Sequence, residues 1–75
     1  MKKKNKIDVT ISSDIDYENL IAEIHVDGNF IGLVTNEPHQ GVCFELPDGQ
    51  ADWNKIGVSV LIQAIEIAKI ELLQE

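Results

Sequence analysis

Between Tyr17 and Glu37 the chain reads YENLIAEIHVDGNFIGLVTNE, two β-type runs flanking the pair Asp27-Gly28. A type I′ turn needs positive φ at both central residues, and Asp-Gly adopts that at little steric cost. A β-hairpin is therefore expected, pairing Val26 with Asn29, Ile24 with Ile31, Ala22 with Leu33 and Leu20 with Thr35. Side chains alternate across a strand, so Leu20, Ala22, Ile24, Val26, Ile31 and Leu33 are expected to face the core. Ile21, Glu23, His25, Phe30, Gly32 and Val34 would then share the opposite face. That face is more apolar than solvent requires, and a slip of one residue would exchange the two sets.

Around the hairpin the same alternation recurs. Ile7-Asp8-Val9-Thr10-Ile11 reads as a strand with Ile7, Val9 and Ile11 on one face. Val42-Cys43-Phe44-Glu45-Leu46 reads as another, with Val42, Phe44 and Leu46 inward. Ser12–Asp16 and Asn36–Gly41 are connectors rich in turn formers, and Pro47–Asp52 ends the fourth strand. From Ser59, a plausible N-cap, the period lengthens to that of a helix. Leu61, Ala64, Ile65, Ala68 and Leu72 form one core stripe, while Ile67 and Ile70 fall outside it. The expected fold is α+β: a four-stranded antiparallel meander with one C-terminal helix, Ser59 to Gln74, packed on one face.

At 75 residues the chain makes one domain, taken as residues 7–75 behind a short disordered basic tail, residues 1–6. A domain of this size buries only roughly 60% of the surface its unfolded chain exposes. That leaves no room for a large internal site and favours stabilisation by binding. A lone cysteine, Cys43, has no internal partner for a disulfide, and no apolar segment follows the basic start, so a cytoplasmic location is expected. No run is long enough to span a bilayer.

Charge is unevenly placed. Four of the six lysines stand at Lys2, Lys3, Lys4 and Lys6, whereas residues 7–75 hold all 13 carboxylates against Lys55 and Lys69. Such a body repels nucleic-acid phosphates and attracts basic protein surfaces, although acidity also serves plain solubility. The tail has neither arginine nor aromatic residues and reads as a solubilising start.

The candidate chemical sites are weak. Asp14, Asp16 and Glu18 lack the glycine and bidentate acid of a calcium loop and read as a solvated acidic loop, capped through Asp16. His25, His39 and Cys43 are too few and wrongly spaced for a closed zinc site, and Cys43 with His39 lacks the surroundings of a nucleophile and base. The glycines are dispersed, so no phosphate-cradling loop arises. No catalytic residue, metal, cofactor or small-molecule substrate is expected. Trp53 reads either as a plug closing the core or as an anchor at a partner surface.

The stretch Tyr17 to Glu37 resembles a group of small bacterial proteins that share a Tyr-Glu-x-Leu-Ile-Ala-Glu-Ile core, an Asp-Gly turn and a closing acidic residue. The similarity extends weakly over IQAIEIAKIELL, covering about two thirds of the chain. It implies a compact sheet-plus-helix fold and no established activity. In size and charge the chain also resembles immunity proteins and phage-encoded inhibitors. The expected function is accordingly non-enzymatic protein binding: docking on a basic partner surface through Glu23, Asp27 and Glu45. The alternative is a homodimer formed through Phe30 and Val34, or through Ile67 and Ile70.

Overall fold

The computed structural model describes residues 5–47 and 53–74. The tail lysines Lys2, Lys3 and Lys4 and most of the Pro47–Asp52 turn lie outside them. Four antiparallel strands form one sheet in the order β1-β2-β3-β4: β1 Ile7–Ser12, β2 Ile21–Val26, β3 Asn29–Glu37 and β4 Gly41–Glu45. The helix α1, Val58–Leu73, packs over β2, β1 and β3. The α+β meander expected from the alternation is thus the observed architecture.

The hairpin turn forms as its chemistry requires, with φ of 52° at Asp27 and 85° at Gly28, and Val26 opposite Asn29. Beyond the turn the register departs from expectation. His25 still faces Phe30, but Ile24 faces Gly32, Glu23 faces Leu33 and Ala22 faces Val34. Ile31 is therefore an extra residue, a β-bulge that shifts the rest of β3 by one position.

From Gly32 onward the bulge exchanges the faces of β3. Val34, expected opposite the core, is 1% exposed and belongs to the cluster beneath the helix with Ala22, Ile24, Val26, Ile31, Ala64 and Ala68. Leu33, expected beneath the helix, lies on the far face, the one turned from the helix, as does its partner Glu23. Trp53 stabilises the irregularity: its indole N–H donates to the Ile31 carbonyl at 3.0 Å while its ring packs on the core. Of the two readings of Trp53, the plug is the one its position fits.

Gly32 makes the neighbouring strand fit. A Cβ there would stand 2.6 Å from Phe44 Cζ, so the missing side chain is the space across which the Phe44 ring lies.

The helix keeps its expected stripe, with Ala64 and Ala68 buried and Leu61, Ile65 and Leu72 packed against the core. Its start differs. Gly57, not Ser59, is the N-cap, and no side chain caps the end. Leu20 also leaves the core face: β2 begins one residue later and Leu20 is 49% exposed.

Candidate docking groove on the far face

The connection from β1 to β2, residues 13–20, is long for a hairpin, and it folds back across the far face of the sheet. Two anchors hold it. The Glu37 carboxylate accepts the backbone N–H groups of Glu18 at 2.7 Å and Asn19 at 2.8 Å, while the Asn19 side-chain amide donates to the Asn36 carbonyl. Further along, the Tyr17 hydroxyl donates to Glu45 Oε1 on β4 at 2.5 Å. Asp14 shapes the tip, its Oδ1 accepting the Asp16 N–H at 2.9 Å and its carbonyl the Tyr17 N–H at 3.0 Å. The turn is thus capped through Asp14 rather than Asp16. Ile21 and Thr35, side chains of the far face, are buried.

Between the loop and the far ends of β3 and β4 lies an open groove of about 510 Å³. Its floor is apolar, made by Phe30, Leu33 and Pro47, and its rim carries Asp14, Asp16, Glu23 and Glu45 with Tyr17. Glu23 is oriented by Ser12, whose hydroxyl donates to Oε2 at 2.8 Å. The hydrogen bond to Glu45, partial burial and the surrounding negative charge of Glu45, Asp14 and Asp16 push the Tyr17 phenol up to about 12. The hydrogen bond is the largest of these causes, since the Glu45 carboxylate favours the phenol that donates to it over the phenolate. At the loop tip Ile15, flanked by two rim aspartates, is 99% exposed.

The expected site residues divide. Glu23, Glu45 and Phe30 come together in this groove, Phe30 with its ring edge-on to His25 at 5.6 Å between centroids. Asp27 does not join them. Its carboxylate accepts from the Asn5 side chain at 2.8 Å and the Lys6 N–H at 2.9 Å, fastening the start of β1 to the hairpin turn. Val34 does not share a face with Phe30: the bulge turned it inward, where it is buried beneath the helix. Ile67 is half-buried and Ile70 is exposed on the flank of α1.

Asp14, Asp16, Tyr17, Leu33 and Pro47 were not anticipated as groove residues. The length of the β1–β2 connection was the available signal, since a long loop in a small domain usually covers a surface or carries function. Among the described residues no three His, Cys, Asp or Glu side chains converge at metal-binding distance, and no helix is long and apolar enough to cross a membrane. Comparison with protein-family models, curated proteins and solved structures returns no match to this chain.

Proposed function

We propose that this chain is a small non-enzymatic protein-binding domain of the inhibitor or immunity type, docking its far-face groove on a basic surface of a partner protein. One observation carries the reading: four carboxylates, Asp14, Asp16, Glu23 and Glu45, rim an apolar floor of Phe30, Leu33 and Pro47. Apolar stems with cationic heads, those of arginine and lysine, match such a surface at both levels. Long-range attraction sets the association rate, and apolar contacts, with exposed Ile15 among them, set the lifetime. Partner capture from the native host tests this, comparing wild type with an Asp14→Asn, Asp16→Asn, Glu23→Gln variant. The partner is expected on wild type alone, with an association rate that falls steeply from low to high salt. Equal capture by both proteins, or a salt-insensitive rate, would falsify it.

A second reading rests on the opposite side of the molecule. Ile70 on α1 is 43% exposed, and Ile67 on the same helix is half-buried. Self-association through this apolar flank would bury both. Sedimentation over a range of concentrations distinguishes it, because a species that stays monomeric when concentrated excludes the dimer.

A further inference from the structure

The last strand of the sheet opens onto two different cavities, one on each face. Glu45 stands at the rim of the acidic groove. Its neighbour Phe44, with Val42, lines a cleft of about 240 Å³ on the helix side, where Val34, Ile65 and Lys69 complete the wall. The cleft exists because α1 covers β1, β2 and β3 and leaves β4 overhanging, with all five residues of that strand exposed. Among the described residues no strand pairs with the outer edge of β4. Within β4 there is neither a proline nor a lysine, the residues that commonly blunt such an edge.

Building on the groove reading, we propose that the outer edge of β4 takes up an extended segment of the basic partner as a fifth strand. An added strand lies about 4.8 Å away, with successive side chains on opposite faces. Alternate residues would reach Glu45 and the acidic rim, and those between them would reach Phe44 and Val42. The segment that fits therefore alternates basic and apolar side chains. Charge selects this occupant over a second copy of the chain, because pairing two β4 edges would set two acidic grooves side by side in a protein of net charge −7.

The test uses the full chain and two short blocked peptides of one composition, one alternating arginine with valine and the other with its arginines grouped at one end. Amide hydrogen exchange across Gly41–Glu45 and the Tyr17 absorbance titration are followed together. The alternating peptide, at about ten times its Kd, is expected to slow the outward β4 amides by about tenfold. The grouped peptide should bind more weakly. Val42→Lys, a charge placed on an exposed edge position, should abolish that protection and leave the Tyr17 titration of the free protein unchanged. Equal, salt-sensitive binding of both peptides without β4 protection overturns strand addition and leaves the acidic groove standing. Failure of both to bind or to lower the Tyr17 pKa at low salt overturns both ideas. Protection that grows with protein concentration alone makes a second copy the occupant and overturns the proposal.

Discussion

The hydrogen that serves Gly32 as a side chain is what lets the Phe44 ring lie across β3. Gly32→Ala brings a Cβ to 2.6 Å from Phe44 Cζ and 3.1 Å from the Glu45 carbonyl oxygen. The ring borders an open cleft and has somewhere to go, so the cost falls at the low end for overpacking, about 1 kcal/mol. Urea denaturation of Gly32→Ala, Phe44→Ala and the double variant checks this: the Gly32 penalty should shrink when Phe44 is absent. Tyr17 offers a second test, being the single tyrosine of the chain. Its pKa rises from 10.0 to about 12, so the folded state holds the phenolic proton more tightly than the unfolded chain does. The resulting stabilisation is complete below pH 10.0 and is lost as pH rises through about 12. Glu45→Gln keeps an acceptor but removes the charge, and ultraviolet titration of the phenolate should show the pKa moving back toward its ordinary value.

The β1–β2 loop owes its path to Glu37, whose one carboxylate receives two consecutive backbone amides. Hydrogen bonds to a charged acceptor exceed neutral ones in strength, but this pair is solvent-exposed, so Glu37→Ala should cost about 1–2 kcal/mol. The more specific outcome is local: amide exchange at Glu18 and Asn19 should accelerate while the β2 core amides keep their protection relative to global unfolding. Loss of that pattern, with all amides changing together, would contradict the clamp. The bulge has its own support in Trp53. Trp53→Phe preserves most of the packing but strands the Ile31 carbonyl, at an expected cost of about 1–2 kcal/mol in denaturant unfolding.

Across the whole molecule the two faces of the sheet have different occupants. The helix closes one face through Ala64 and Ala68, small residues that let it sit close, and the protein's own loop covers part of the other. What stays open on that second face is the acidic groove, with Ile15 beside it. Ile15→Ala touches nothing in the core and should change stability by less than about 0.5 kcal/mol. Surface plasmon resonance against the captured partner should nevertheless show faster dissociation, with the association rate little altered, because the substitution leaves charge untouched.

Strand periodicity, the Asp27-Gly28 turn, the helix stripe and the acidic balance were legible in the chain itself. Each depends on neighbours a few residues apart, where alternation, φ preference and charge act locally. Glu23, Glu45 and Phe30 could be named as surface candidates for the same reason. Even the bulge had a local trace in Gly32, a glycine inside a strand. Its placement at Ile31, however, is fixed by an indole from beyond β4 and by a ring that needs the space at Gly32. Those contacts moved Val34 into the core and Leu33 to the groove. Asp27 likewise became a fastener only once the chain start was laid beside the turn. Only the length of the β1–β2 connection hinted at the groove, because Asp14, Glu23 and Glu45 come to line one groove only when the first loop folds over toward the last strand. That encounter is decided by contacts between distant segments, which no local pattern encodes.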